Sequence, residues 1–300
     1  MYVVCGATGN TGNVVARNLL EKGEKVRAIG RSLERLKALA ADGAEAFPAD
    51  LTDTITLAKA FAGARAVYLV MPPNLSSPDY RGFQSRVAQA VASALQSARV
   101  THAVTLSSIG ADKPDKTGPV AGLHDFEERL NRLEDLNVLH LRAGYFMENT
   151  LPQVANIEKM GMAAGPLDPE LKLSMIAAED VGAAAADALL SLNFTEKQTR
   201  ELQGQRDITM REATEIIGKA IGRPGLPYAR AEDNQVRAAL IQIGMSLNVA
   251  DLILEMAAAL NSGYMRPLEL RSAENTTPTS YERFVEEQIV PLFEGRTAAA

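Results

Sequence analysis

Short apolar runs alternate with amphipathic stretches through the first half of the chain. Each apolar run has the length of a strand, and each amphipathic stretch has the period of a helix. The run 66–71 is apolar throughout, as expected for a strand buried on both faces. Repeated strand–helix units of this length predict a parallel sheet with helices on both sides. The predicted strands are 2–5, 25–30, 44–48, 66–71, 101–106 and 138–141, and the predicted helices are 13–21, 33–42, 55–61, 80–98 and 123–135.

The pattern changes after Gly144. Residues 151–175 are irregular and rich in Pro, Gly and Met, and a strand followed by a helix begins at Ile176. Later units are helical and less regular, with predicted helices at 210–222, 234–260 and 281–293. We therefore predict an α/β fold, a doubly wound parallel Rossmann sheet with a smaller, mostly helical C-terminal cap. The predicted division is a Rossmann domain of residues 1–150 and 176–202, a discontinuous cap of 151–175 and 203–295, and a disordered tail of 296–300.

Composition excludes several functional classes. The chain has 31 basic and 37 acidic residues, a net charge of −6, and no basic stripe, so direct nucleic-acid binding is not expected. No run of 18 apolar residues predicts a membrane span. Three histidines without cysteine partners at ligand spacing predict no metal site. A first strand at residue 2 leaves no room for a signal peptide, and the single cysteine, Cys5, is typical of a reducing compartment, so a cytoplasmic protein is expected.

The clearest chemical motif lies at the start of the chain. Residues 2–12 read Y-V-V-C-G-A-T-G-N-T-G, a strand followed by three glycines and then a helix. Gly6 permits a tight turn, Gly9 lets backbone N–H groups approach a pyrophosphate, and Gly12 lets the helix pack closely. The helix N-terminus also favours phosphate. The motif predicts a dinucleotide site formed by Gly6, Thr8, Gly9, Asn10, Thr11 and Gly12.

The end of the second strand indicates which dinucleotide binds. NAD sites carry an acid there, whereas this segment reads A-I-G-R-S. Arg31 can bind a 2′-phosphate, so we expect NADP(H) in preference to NAD(H); the alternative is a solvated arginine that starts a surface helix. Asp50 is predicted to contact the adenine or to cap the next helix, for which Asp53 is better placed. Further residues at the carboxyl ends of strands are predicted to line the cofactor crevice: Asp50, Leu51, Met71, Pro72, Ser107 and Tyr145.

Together these motifs resemble the NmrA-like branch of the atypical short-chain dehydrogenase/reductases, which includes quinone reductases and NADP-sensing regulators. The resemblance spans about residues 2–185 and is looser in the cap. Its most specific parts are the glycine loop and L-R-A-G-Y-F-M-E-N at 141–149. Further matches are the Arg-Ser after the second strand, Asp50-Leu51, T-L-S-S at 105–108, H-D-F-E-E-R-L at 124–130 and E-D-V-G at 179–182.

The catalytic Y-x-x-x-K of short-chain reductases is absent, because none of the seven tyrosines has a lysine four residues later. In the corresponding helix that spacing is held by His124 and Glu128, with Arg129 in the usual place of the lysine. His124 is the candidate proton donor; the alternative is a histidine at a helix start that bonds to a loop. Phe146 and Asn149 are candidate substrate contacts, and the alternative for this segment is ordinary core packing.

Three functions remain open from the sequence. The first, which we favour, is an NADPH-dependent reductase of a quinone or a similar small apolar electrophile. The second is a non-catalytic NADP(H) sensor that binds a regulatory protein partner. The third is a carbonyl or imine reductase with His124 as the acid. The substrate, the partner and the oligomeric state are not determined by the sequence.

Overall fold

Strands and helices alternate along residues 1–297, the part of the chain that the computed structural model describes. The strands are β1 (Tyr2–Cys5), β2 (Val26–Gly30), β3 (Glu45–Pro48), β4 (Ala66–Leu69), β5 (His102–Ser108), β6 (Asn137–Ala143), β7 (Tyr145–Phe146), β8 (Ala163–Gly165), β9 (Leu173–Ile176), β10 (Lys197–Leu202), β11 (Asp207–Ile208) and β12 (Tyr228–Arg230). The helices are α1 (Asn10–Glu21), α2 (Leu33–Ala41), α3 (Thr54–Phe61), α4 (Tyr80–Ser97), α5 (Ala121–Asn131), α6 (Gln153–Met160), α7 (Ala178–Ser191), α8 (Met210–Ala220), α9 (Asp233–Gln242), α10 (Leu247–Asn261), α11 (Tyr281–Phe284) and α12 (Val290–Thr297). A π-helical segment, Val285–Ile289, joins α11 to α12.

The main sheet has the strand order β10-β6-β5-β4-β1-β2-β3, and every neighbouring pair is parallel. One apolar cluster packs α3, α4 and α5 against one face, through side chains such as Phe61, Val91 and Phe126. A second cluster packs α1, α2 and α7 against the other, through Leu19, Leu36 and Leu189. The predicted doubly wound parallel sheet is confirmed.

The seventh strand of this sheet was not predicted. β10 reads K-Q-T-R-E-L, and only its last two residues are buried, so it lacks the apolar run that identifies the central strands. It lies at the sheet edge, where one side of a strand stays open to solvent. The strand predicted to begin at Ile176 instead ends there: β9 runs from Leu173 to Ile176, within a stretch that was predicted to be irregular. It pairs with β7 and β11 in a separate three-stranded sheet.

Two helix predictions are corrected by the structure. α1 begins at Asn10 rather than Asn13, because the backbone turns into the helix directly after Gly9. The single helix predicted over 234–260 is two helices, α9 and α10. They are separated at Gly244, whose φ of +93° lies in the left-handed region and cannot continue a right-handed helix.

The C-terminal part of the chain has an apolar cluster of its own, built mainly from α6, α8, α10 and α11 with the segment around Met147. This part of the chain also contains a two-stranded sheet of β8 and β12. The predicted smaller and mostly helical C-terminal part is thus present. Within residues 1–297, no helix has both the length and the apolar character needed to cross a membrane. Most of the tail predicted at 296–300 lies outside the described residues, and α12 extends to Thr297.

Candidate functional site

The glycine loop between β1 and α1 is shaped by its own close packing. Gly6 has a φ of +64°, and a Cβ there would lie 2.5 Å from Cγ1 of Val70. Its carbonyl oxygen accepts a hydrogen bond of 2.9 Å from the N–H of Gly9. A Cβ on Gly12 would lie only 2.3 Å from the same oxygen. Gly6 and Gly12 are therefore required by the backbone itself.

The N-terminus of α1 is open. Its N-cap residue, Gly9, has no side chain to accept from the first-turn N–H groups, and no acid lies in that turn. Gly9 and Asn10 are exposed, whereas Thr11 is buried and its hydroxyl accepts a 2.9 Å hydrogen bond from Tyr68. Thr11 therefore offers its backbone rather than its side chain to a ligand. Free N–H groups and a positive helix end favour phosphate at this place.

Two arginines stand at the end of β2 beside this loop. Arg31 is exposed directly after the strand, and Nη2 of Arg35 donates to the carbonyl oxygen of Thr8 at 3.4 Å. The nearest acid in sequence, Glu34, is occupied by an ion pair of 2.6 Å with Lys37 along α2. Arg35 thus contacts the loop directly, Arg31 follows the adjacent end of β2, and the first acid of α2 is paired with a lysine.

Some residues that follow β3 and β4 form turns and helix caps, and others pack in the apolar core. Oδ1 of Asp50 accepts from the N–H and hydroxyl of Thr52 at 2.8 and 2.7 Å, and so closes a turn. The cap of α3 is Asp53, as its better position predicted. Leu51 and Met71 are buried in the apolar cluster on the α3 face, and Pro72 is half-buried beside it. β4 ends at Leu69, so Met71 and Pro72 lie just beyond the strand.

The ends of β5 and β6 carry a buried ionic group. Oε1 of Glu127, on α5, accepts from the hydroxyl of Ser107 at 2.5 Å and from Nε of Arg142 at 3.0 Å. Oε2 accepts from Nη2 of Arg142 at 2.5 Å. Burial opposes the charge of Arg142, but the hydrogen bond and charge of Glu127 outweigh burial and raise the pKa of Arg142. Ser107 has donated its hydrogen to Glu127, so it can only accept from a ligand.

His124 holds the loop that follows β5. Its Nδ1 lies 2.8 Å from the carbonyl oxygen of Ala111, and a carbonyl only accepts, so Nδ1 carries the hydrogen. Proton donation by His124 would have to come from Nε2. Glu128 is exposed, and Arg129 donates to Oε1 of Gln89 on α4, so neither acts on the imidazole through a contact seen here. The bond to the 109–117 loop is the geometry that the structural alternative for His124 predicted.

The segment after β6 places an aromatic pair at the same edge of the sheet. Tyr145 lies in β7 opposite Met175, and burial raises its pKa to about 12, partly offset by a hydrogen bond with the side chain of Asn149. Phe146 is half-buried and packs on the α1 side, whereas Asn149 is exposed. Tyr145 is thus a neutral and weakly acidic hydroxyl near neutral pH.

These segments meet at one place because the strands are parallel. β1 lies between β4 and β2, so the chain order reverses beside β1 and the glycine loop lies at this switch point. In open α/β sheets, ligands bind at the carboxyl ends of the strands at such a point. The open helix end, the close-packed glycines and the two arginines fit a dinucleotide phosphate group.

A family model described as the NmrA-like family matches residues 2–286. The chain belongs to the NmrA-like family. It is 29% identical over 269 residues to an NAD(P)H azoreductase of Xenophilus azovorans, with 88% of this chain and 89% of that protein covered.

Two solved structures share the fold of this NmrA-like chain. An NADPH-dependent quinone oxidoreductase of Escherichia coli, in complex with NADPH, superposes with a TM-score of 0.80 at 23% identity and covers 98% of this chain and 100% of its own. NmrA, a negative transcriptional regulator in complex with NADP, has a TM-score of 0.75 at 16% identity, with 98% and 97% covered. The family resemblance read from the sequence is confirmed.

Sequence reasoning missed Glu127 and Arg142 in this NmrA-like chain. Glu127 lies three residues before Leu130 and four after Leu123, so it falls on the apolar side of α5. Arg142 is the next-to-last residue of the apolar β6 and lies directly opposite Ser107 in the register of β5 and β6. An acid on a buried helix face and a base in a buried strand indicate an ion pair, because charged side chains are rarely buried without a partner of opposite charge.

Proposed function

We propose that this NmrA-like protein is an NADPH-dependent reductase that acts on a quinone or a similar apolar electrophile. One observation carries the proposal: an open dinucleotide loop lies at the edge of the sheet where Ser107, Ser108 and His124 already donate their hydrogens to protein acceptors. The activity that names the Xenophilus relative and the one that names the Escherichia coli structure support a reductase.

In this proposal the cofactor lies across the carboxyl ends of the strands. The backbone of the loop 6–12 holds the pyrophosphate, and Arg31 with Arg35 binds the 2′-phosphate. An arginine pair in place of an acid supports NADP(H) over NAD(H). Ser107 can accept from an amide or hydroxyl of the ligand. The remaining residues proposed to line the cofactor and substrate are Asp50, Leu51, Met71, Pro72, Tyr145, Phe146 and Asn149.

The hydrogen-bond donors at this site are already bonded to protein acceptors, which favours a substrate that needs little acid catalysis. Ser107 donates to Glu127, Ser108 to the carbonyl of Ile109, and Nδ1 of His124 to Ala111. Burial raises the pKa of Tyr145 to about 12, which makes proton transfer from its hydroxyl more costly. Bound NADPH would supply the hydride. Reduction of a quinone then needs one further proton, which water can provide because a hydroquinone anion is only a modest base.

The proposed preference for NADPH is tested by calorimetric titration with NADPH and NADH. Arg31→Ala should weaken NADPH binding by roughly 10- to 100-fold, the value of one charge-assisted hydrogen bond, and leave NADH binding nearly unchanged. Lys22→Ala is the control, because Lys22 is an exposed cation at the end of α1 opposite the glycine loop. Equal loss for both dinucleotides, or a wild type that prefers NADH, would contradict the assignment of Arg31.

The reaction is tested by following NADPH oxidation with a series of quinones. Turnover that persists in His124→Ala would show that the imidazole is not the acid, as its bond to Ala111 predicts. Turnover of carbonyls or imines that vanishes in His124→Ala would instead establish the third function considered above. Tight NADPH binding without oxidation by any quinone refutes the proposed activity.

A non-catalytic NADP(H) sensor is the second candidate, and one observation favours it. Helix α9 has no buried residue, and Ile243 and Leu247, which follow it, are 71% and 58% exposed. An apolar surface of this kind is typical of a protein contact. The fold shared with the regulator NmrA is compatible with this role. NADPH binding that changes the affinity for a protein partner, without turnover, would establish it.

We also propose the domain division predicted from the sequence, with a Rossmann domain of 1–150 and 176–202 and a cap of 151–175 and 203–295. It is supported by β10, which joins the main sheet, and by α7, which packs against α1. The separate apolar cluster around α6, α8 and α10 supports the cap. Limited proteolysis that cuts first near residues 150, 175 and 203 would support these boundaries, and early cuts within α7 would argue against them.

A further inference from the structure

We infer that a cavity between the loop after β5 and the segment after α10 binds an anionic substituent of the substrate. The cavity is about 430 Å³ and is lined by Lys113, Ser262, Gly263, Tyr264, Arg266 and Leu268. Its ligand class is a planar organic anion, an apolar electrophile that carries a sulfonate, phosphate or carboxylate. The inference rests on the proposed function, because it names the substrate class of that proposed reductase.

The cavity lies at the functional edge of the sheet. Lys113 follows the carboxyl end of β5, and the N–H of Ile109 donates to the carbonyl of Ala143 at the end of β6 at 3.0 Å. The other wall is held by Glu201, near the end of β10, whose carboxylate accepts from the N–H of Leu268 at 2.9 Å. β5 and β10 flank β6, which leads directly to Tyr145. The walls of the cavity therefore follow the same edge of the sheet as the segment that carries the predicted substrate contacts.

The two walls of the cavity pack against each other. Gly110 has a φ of +86°, and a Cβ there would lie 2.7 Å from Cγ of Met265, so the loop packs tightly on that side chain. Met265 is buried, and its N–H donates to the carbonyl of Ala259 at 3.0 Å. Tyr264 and Arg266 flank Met265 in sequence. The packing of one methionine thus places both beside Lys113.

The lining of the cavity includes two cationic side chains, Lys113 and Arg266, and no carboxylate. Nζ of Lys113 lies 2.6 Å from Asp112 and 5.6 Å from the centroid of the Tyr264 ring, which neutralises Asp112 and orients the ring. Arg266 is exposed and has no ion pair among residues 1–297. Glu269 does not compensate it through a salt bridge, because its carboxylate accepts from the N–H of Glu201 and the amide of Asn275. The guanidinium of Arg266, which has no salt-bridge partner in the described part of the chain, is the group proposed to meet the anion.

The apolar part of a ligand also has a surface here. Tyr264 is 38% exposed and Leu268 is 56% exposed, although both lie next to anchored backbone. An aromatic ring and an aliphatic side chain beside a cation match a flat aryl group with a charged substituent. A volume near 430 Å³ falls in the range of small-molecule sites, roughly 300–1,000 Å³.

The test compares naphthoquinone with its sulfonate derivative as oxidants of NADPH. In Arg266→Ala the KM for the sulfonate should rise about tenfold, the value of one partly solvated charge-assisted hydrogen bond, while the KM for the neutral quinone stays within about twofold. Arg266→Lys should retain most of the preference, since it keeps the charge. Arg86→Ala, which removes an exposed arginine of α4, is the matched control and should change neither KM.

A binding measurement separates this inference from the proposed activity. Calorimetry with naphthalene sulfonate, which cannot be reduced, should show binding to the NADP-loaded wild type that weakens with added NaCl and falls about tenfold in Arg266→Ala. If sulfonate binding depends on Arg266 but no quinone is reduced, the anion site is supported and the proposed reductase activity is refuted. If quinones are reduced but Arg266→Ala leaves sulfonate KM and binding unchanged, or Arg86→Ala has the same effect, the inference is overturned.

Discussion

Replacing Glu127 with alanine should destabilise the protein far more than any surface change on the same helix. Glu127 is 4% exposed and accepts three hydrogen bonds, one from Ser107 and two from Arg142. Its removal leaves the guanidinium of Arg142, whose side chain is 15% exposed, without a counter-ion. The hydroxyl of Ser107 loses its acceptor at the same time.

The size of the effect follows from this burial. Breaking a buried ion pair by removal of one partner costs about 3–5 kcal/mol, because an uncompensated charge stays in the interior. The unpaired Ser107 hydroxyl adds about 1 kcal/mol at most, and the two contributions overlap since they share one carboxylate. We expect a loss of about 4 kcal/mol in the free energy of unfolding, a large part of the roughly 5–15 kcal/mol of a typical domain.

Urea unfolding followed by circular dichroism measures this loss as a shift of the midpoint at constant slope. Glu128→Ala is the matched control, because Glu128 is the next residue of α5 and is exposed; it should change the free energy by no more than about 0.5 kcal/mol. The double variant Glu127→Met with Arg142→Met should recover most of the loss, since it removes both charges. A loss below about 1 kcal/mol in Glu127→Ala, or no recovery in the double variant, would refute the reasoning.

Two further predictions concern the loop and the sheet. Gly12→Ala should lower the melting temperature and weaken NADPH binding measured by calorimetry, because its Cβ would lie 2.3 Å from the carbonyl oxygen of Gly6. His140 should make the protein sensitive to mild acid, because burial lowers its pKa to about 4. The unfolded histidine, with a pKa near 6.5, takes up a proton that the folded one does not, so about 2 kcal/mol should be lost in urea unfolding between about pH 7.5 and about pH 5.

Each of these has its own control. Gly295→Ala, where an added Cβ meets nothing within 4 Å, should leave stability and NADPH binding unchanged or slightly improved; equal damage in both variants would contradict the steric argument for Gly12. His140→Gln should remove the part of the acid loss that this imidazole contributes. An acid loss of the same size in His140→Gln would mean that other groups are responsible.

Much of the fold was predictable because it depends on local patterns. Buried strands such as β4 are continuous apolar runs, and helix starts at Ser32 and Asp53 are capped by their own side chains. The glycine loop was predictable for the same reason, since Gly6 and Gly12 meet each other within a few residues. Where such a local signal is absent, as in the polar edge strand β10, no strand was predicted.

The sequence by itself determined six strands of the main sheet, the glycine loop and the arginine that follows β2, because residue type and spacing along the chain specify them. The tertiary structure alone decided which polar groups are free to act. Ser107, Glu127 and Arg142 come from β5, α5 and β6, and they meet only through strand register and helix packing. His124 donates a hydrogen bond to the carbonyl oxygen of Ala111, in a loop 13 residues away. Hydrogen-bond partners between separate elements leave no periodic trace in a sequence, so the donors that this cleft retains had to come from the fold.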